Sequence, residues 1–228
     1  MAETALIIGA GAGLSASLAR KLSAAGWDVA LAARDVGKLA TLAAETGAST
    51  HACDAADPAS VAALFEALDA AQRAPSFVVY NPSFRVRGPV IELDPEQVRR
   101  ALDVCAFGAF LAAQQAARRM LAAGRGSIFF TGASAGVKGF PKSAPFAMGK
   151  FALRGLAESL ARELHPQNIH ICHFVIDGGI ASERRVAEPG SDSLLDPDAI
   201  ADTYLHALHQ PRSAWSHEIA LRPWVETF

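Results

Sequence analysis

Two periods of apolar spacing take turns along this chain, and they do so in a regular order. Short apolar runs at 5–9, 28–33, 49–53, 77–80, 127–131, 169–176 and 218–221 read as strands. Helical spacing, as in Leu14, Leu18 and Leu22, predicts helices over 14–25, 36–45, 58–71, 95–122 and 143–164. A further helix opens at Pro197. Gly26 and Gly47 stop the first two helices, and Asp57, Asp94 and Asp196 stand as N-caps before Pro58, Pro95 and Pro197. Such alternation implies βαβ units and a parallel sheet covered on both faces, an α/β doubly wound domain. No break or repeat divides the chain, so 1–228 reads as one domain. The least regular stretch, 178–195, follows a strand's carboxyl end and reads as a substrate lid, with disorder as the alternative.

Composition narrows the picture. Hydrophobic residues make up 51% and charged residues 19%, which suits strands buried on both faces and excludes a disordered chain. A net charge of −2 gives no electrostatic reason to expect nucleic acid or a membrane surface. No stretch approaches the roughly 20 apolar residues of a membrane span. Cys53, Cys105 and Cys172 are odd in number and far apart, and the seven histidines lack ligand spacing, so neither a disulfide framework nor a metal site is expected. A small-molecule partner, further copies of the same chain and a reducing cytoplasm are the expectations.

The turn after the first strand is Gly9-Ala10-Gly11-Ala12-Gly13-Leu14-Ser15. Glycines there let the backbone turn and approach a pyrophosphate, while the helix start presents N–H groups and the positive end of its dipole. A carboxylate after the second strand would favour NAD; here Ala33-Arg34-Asp35 offers an arginine suited to a 2′-phosphate, so NADP is expected ahead of NAD. Arg34 as a solvated loop residue is the plainer alternative.

These segments, with several others in the same order, resemble the short-chain dehydrogenase/reductase family. Gly9 and Gly13 match the first two glycines of its Gly-x-x-x-Gly-x-Gly; Ser15 replaces the third and Ile8 the usual preceding Thr. Asp54-Ala55 is similar to the family's Asp-Val step beside the adenine, although Asp54 would also serve as a turn cap. Asn81 matches the first residue of Asn-Ala-Gly. Gly178, Ile180 and Ser182 fit Pro-Gly-x-Ile-x-Thr, where Gly179, Ile180 and Ser182 would hold the carboxamide and Asp177 replaces proline. The resemblance implies a Rossmann-type fold with a seven-stranded parallel sheet. It also implies homodimers or homotetramers built on the two longest helices and a C-terminal segment containing Trp215, Trp224 and Phe228.

The family's Asn-Ser-Tyr-Lys tetrad is represented only by its lysine. Phe146-Ala147-Met148-Gly149-Lys150 corresponds to Tyr-x-x-x-Lys, Cys105 occupies the Asn position, and Ala133 the Ser position with Ser134 beside it. The chain thus resembles an atypical branch with Phe in place of Tyr. Phe146, Cys105 and Ala133 would line the substrate pocket; Cys105 could also be a nucleophile, but a lone buried cysteine on a helix is far more often packing. Phe107 and Phe110 would line it too, or belong to core or interface. Lys150 would hold the nicotinamide ribose, with a solvated helix lysine as the plainer reading. Proton transfer falls to Asp177, Lys150 or Ser134, or is not needed; Asp177 also reads as a turn-former. A positioned acid or base contributes about 10²–10⁴ in rate, so the family's ordinary ketone reduction would be slow without it. The resulting expectation is an NADP-dependent oxidoreductase transferring hydride to a small organic substrate without the Tyr acid. A catalytically silent regulator or oligomer partner, and a non-redox isomerase or lyase, are the alternatives.

Overall fold

Continuous apolar runs become strands covered on both sides. A computed structural model describes residues 2–183, 185–188 and 190–226. β1 (Thr4–Ile8), β4 (Phe77–Tyr80) and β6 (Ile169–Ile176) are buried at every position. β2 (Asp28–Ala33) and β5 (Gly126–Thr131) are nearly so, whereas β3 (Ser49–Ala52) and β7 (Glu218–Leu221) are partly exposed edge strands. All seven pair in parallel in the order β3-β2-β1-β4-β5-β6-β7. The expected sheet is the one observed.

Side chains alternate between the faces, and two cores result. Leu6, Ile8, Val78 and Tyr80 pack with Leu64, Phe65, Met120 and Leu153. These last residues come from α3 (Pro58–Ala70), α5 (Gly108–Ala123) and α6 (Ala144–Leu164). Ala5, Ile7, Phe77 and Val79 pack with Leu18, Leu22, Leu42 and Tyr204. That face is covered by α1 (Leu14–Ala24), α2 (Ala40–Thr46) and α7 (Pro197–Leu208). The predicted caps form: Asp57 accepts from the Ala59 and Ser60 N–H groups, Asp94 from Glu96 and Asp196 from Asp198. Each such cap stabilises its helix by about 1 kcal/mol.

The long helix expected over 95–122 is not continuous. α4 (Pro95–Leu102) gives way to one π-helical turn at Asp103–Phe107 before α5 begins. Two contacts account for the place of the break. Tyr80 Oη donates to the Val104 carbonyl at 2.6 Å, and a Cβ on Gly108 would stand 2.3 Å from the Ala55 carbonyl oxygen. The helix is therefore drawn onto the β3–α3 turn where glycine permits the approach, and the extra residue of a π turn takes up the slack.

Candidate active site

The sheet order reverses between β1 and β4, so their crossovers leave in opposite directions and open a crevice at the strands' carboxyl ends. Register aligns Ile8 with Ala32 on one side and Tyr80 on the other, which sets Gly9 and Asn81 at the lip. Gly9 has φ +78°, and a Cβ there would lie 2.6 Å from Pro82 N, so only glycine fits. Ser15, standing where the resemblance leads one to expect glycine, ties the turn together. Its Oγ donates to the Gly9 carbonyl at 3.3 Å and accepts from Asn81 Nδ2 at 2.8 Å. Beyond this knot the turn is open: nothing lies within 4 Å of a Cβ built on Gly11 or Gly13. Gly13 caps α1 without any side-chain bond, leaving helix N–H groups for an incoming anion. These features fit a dinucleotide's pyrophosphate.

At the end of β2, Arg34 is exposed and its side chain makes no hydrogen bond or ion pair among the described residues. Asp35, the carboxylate that would argue for NAD, is engaged elsewhere. It accepts from Gly37 N at 3.1 Å and pairs with Lys38 at 3.3 Å. Asp54 accepts from Ala56 N at 3.0 Å, closing a turn next to the buried Ala55.

On the other half of the sheet lies a cleft of about 1140 Å³. Asn81, Ala133, Ser134, Phe146 and Lys150 form one wall, while Gly179, Ile180 and Ser182 of the loop after β6 form the other. The i,i+4 spacing puts Phe146 and Lys150 on one face of α6, with Nζ 5.9 Å from the ring centroid. Lys150 is 2% exposed and donates to the Thr131 carbonyl at 2.7 Å. Burial pushes its pKa down, against a smaller opposing influence of Cys105. Ser134 Oγ reaches the Ile176 carbonyl at 3.5 Å, a weak tie that leaves the hydroxyl on the wall.

Three expectations need correction. Asp177 is not on the cleft wall. It is buried, with its carboxylate oxygens taken up by Arg222 at 2.8 Å and Lys138 at 3.6 Å, so it braces β6 against β7 instead of facing a substrate. Cys105 does not line the pocket either. A Cβ on Gly149 would stand 2.7 Å from Cys105 Cβ, so α6 packs directly over the thiol and seals it behind Phe146, beside Ala135. Its sulfur exchanges weak bonds with the Phe84 backbone. Phe107 and Phe110 stack on each other at 6.3 Å on the exposed surface of the π turn and α5. Phe228 lies outside the described residues.

Two features of the wall escaped the reading of the sequence. Ser143 lies on it, buried at the start of α6, and its Oγ has no hydrogen-bond partner. It occupies the cap position just before the helix, yet its side chain caps nothing. The second is Arg85, whose guanidinium carbon sits 4.9 Å from the Phe146 centroid, a cation–π contact worth roughly 0.5–1 kcal/mol where solvent reaches it. The pattern Arg85-Val86-Arg87 behind Asn81 carried that signal, since alternate residues of an extended segment share a face.

No helix of the described residues is long and apolar enough to cross a membrane, and no group of three or more His, Cys, Asp or Glu among them is placed to hold a metal. Comparison with known proteins accords with the crevice. A curated relative, L-2,3-butanediol dehydrogenase of Corynebacterium glutamicum, is 30% identical over 177 residues, 73% of this chain and 68% of its own length. Coverage of the other curated relatives varies, from 19% of one's length to 82% of another's. A short-chain dehydrogenase structure from Rhodopseudomonas palustris superposes with a TM-score of 0.85 at 35% identity, covering 97% of this chain and 99% of that one. A metagenomic short-chain oxidoreductase solved with NADP gives 0.84 at 28% identity, covering 98% of each. The family model for short chain dehydrogenase matches residues 3–188, in keeping with the switch-point crevice, the glycine turn and the buried Lys150, and the chain belongs to the short-chain dehydrogenase family.

Proposed function

We propose that this chain is an NADP-dependent oxidoreductase of an atypical Phe-for-Tyr kind, passing hydride to a small organic substrate without a tyrosine acid. The observation that carries the reading is the pairing of Phe146 and Lys150 on one cleft wall, with Lys150 retained, buried and oriented by Thr131. Gly9, Gly11, Gly13 and Leu14 would receive the pyrophosphate, Arg34 the 2′-phosphate, and Asp54 and Ala55 the adenine. Asn81 shapes the adjoining wall, Gly179, Ile180 and Ser182 would meet the carboxamide, and Lys150 the ribose hydroxyls. NAD is the less favoured coenzyme because Asp35 is already committed to its own turn.

When bound, the reduced nicotinamide supplies the hydride. What this chain adds is geometry and proton supply. Phe146 keeps a flat apolar wall and excludes water where the family's phenol would stand. Ser134 and Ser143 offer hydroxyls on the same wall, and Lys150, with its pKa lowered by burial, gives up a proton more readily than an exposed lysine. Asp177 is not among these proton sources, because its oxygens are engaged by two cations. A substrate that arrives charged, such as an iminium ion, needs no acid at all. Residues 178–195 would act as the lid, and exposed Phe107, Phe110, Met148 and Phe151 offer an apolar surface for a homodimer or homotetramer. Three free, buried cysteines suit a reducing cytoplasm.

A second reading has its own observation. Phe146 packs against Cys105 and Ala135 as core, which suits a coenzyme-binding protein without catalysis. One experiment separates the two: titrate NADPH and NADH calorimetrically, then follow nicotinamide absorbance over carbonyl, imine and enone panels. Coenzyme binding with turnover of one panel supports the oxidoreductase. Binding with no turnover supports the silent protein, and no binding rejects both.

A further inference from the structure

The cleft wall is far more positive than the chain as a whole. Arg85, Arg87, Lys142, Lys150 and Arg185 line it, against Glu226 as the one acid among the described residues, in a protein of net charge −2. The side chains of Arg85, Arg87 and Arg185 make no ion pair or hydrogen bond among those residues, although Arg85 stacks on Phe146. Arg185 folds back onto the opposite wall, where a Cβ on Gly179 would come within 2.7 Å of its Nη1. Burial lowers the Arg85 pKa, and the neighbouring charges of Arg87 and Arg185 lower it further, so both stand close enough to act on Arg85. Gathering like charges without counterions costs free energy, which a bound anion would return. Ser143 Oγ, buried on the same wall without a partner, is a further unused hydrogen-bonding group.

The coenzyme does not account for these cations. Its 2′-phosphate belongs with Arg34 at the end of β2 and its pyrophosphate with the turn after β1, whereas the arginine trio comes from the loops after β4 and β6, around Phe146. Guanidinium is the group suited to planar, two-pronged recognition of an oxyanion. We infer that the substrate carries a carboxylate or phosphate group, seated by Arg85, Arg87 and Arg185 beside the Phe146 ring. The inference rests on the coenzyme reading only in taking this half of the cleft to be the substrate's.

The test titrates inorganic phosphate and, separately, malonate into protein saturated with NADPH, so that the coenzyme's own phosphate sites are filled. One anion should bind at one equivalent, and the tighter of the two assigns the group as phosphate or carboxylate. Arg85→Gln and Arg185→Gln should each weaken it roughly tenfold or more while NADPH still binds. Arg20→Gln, a surface arginine paired with Glu45 at 2.8 Å, removes the same charge far from the cleft and should leave the anion's affinity unchanged. Melting curves confirm that each variant is folded. No anion binding by the wild type, or equal losses in Arg20→Gln and Arg85→Gln, would overturn the inference while leaving coenzyme binding intact. Failure of NADPH itself to bind rejects the parent reading, and titrating the coenzyme-free protein then judges the arginine cluster alone.

Discussion

Lys150 donates from Nζ to the Thr131 carbonyl at 2.7 Å, joining the middle of α6 to the carboxyl end of β5. No carboxylate among the described residues pairs with that ammonium, and burial lowers its pKa. An ammonium has three donors, so after Thr131 two remain for hydroxyls entering the cleft. Burial makes a charge at this position costly to hold, so the residue's contribution to the site and to the fold can be separated by substitution.

Lys150→Met separates those two roles. Replacing this buried lysine, which has no carboxylate partner among the described residues, by an apolar chain of similar length should leave stability unchanged or raise it by about 1 kcal/mol or more, a melting shift of roughly 2–4 °C per kcal/mol. NADPH affinity should fall about tenfold through loss of a charged donor. The pH dependence has a definite sign. A lysine whose folded pKa is depressed binds fewer protons than the unfolded chain between that value and its ordinary value of 10.5. Wild type should therefore gain stability relative to the variant as pH rises through that window. A variant that melts several degrees lower would show the Thr131 bond to be a structural tie first.

Arg34→Ala tests coenzyme choice. With Asp35 committed to Gly37 and Lys38, the exposed guanidinium is the group at the end of β2 suited to a 2′-phosphate. NADPH affinity should drop roughly 10–100-fold and NADH affinity by much less, as read by calorimetry. Equal losses would remove the 2′-phosphate assignment.

Much of this was legible in the sequence because local chemistry and global fold agree. Apolar runs, Asp-Pro helix starts and glycine stops placed all seven strands and most helices. The break at Asp103–Phe107 was not legible, since its causes, Tyr80 Oη on Val104 O and the approach of Gly108 to Ala55, join residues distant in sequence. The site divides the same way. Asn81, Phe146 and Lys150 line the cleft and Gly9 stands at the adjoining crevice, and all four lie in motifs visible along the chain. Asp177 and Cys105 do not face the cleft because Arg222, Lys138 and Gly149, which engage or cover them, carry no marker along the chain. Ser143 and Arg85 were not legible as wall residues, because a buried hydroxyl without a partner and a contact with the Phe146 ring arise only in the folded chain.

Phe146→Tyr restores a phenol four residues before Lys150. The ring is 8% exposed and lies on the wall, so its added hydroxyl has the cleft to enter, within the influence of Lys150 and Arg85. Both cations favour the phenolate and lower the new group's pKa. Carbonyl reduction should appear or rise by about 10² or more, measured as NADPH oxidation with a carbonyl panel. No gain would mean that the hydroxyl missing at Ala133 limits the reaction instead, and Ala133→Ser in the same background would then show it.

His170 sets a limit on acid stability that is independent of the site. Its ring stacks on Trp215 at 4.7 Å and meets the Phe129 edge at 5.1 Å. Nε2 lies 2.9 Å from the Ser216 carbonyl, which requires the proton on that nitrogen, while Nδ1 has no partner. Burial pulls the pKa down from 6.5 to about 4, only partly offset by the Ser216 bond. Between those values the unfolded chain binds the proton and the folded one does not. Stability contributed by neutral His170 is thus complete above pH 6.5 and drains away as pH falls towards 4. The loss should be on the order of 3 kcal/mol across that range. His173 and His51 are depressed by burial as well and act in the same direction, so the comparison must be differential. His170→Phe keeps the stack and removes the titration. Its urea midpoint should lie slightly below wild type at neutral pH, for want of the Ser216 bond, and fall less steeply on acidification. Parallel curves for the two proteins would show that His170 plays no part in the acid transition.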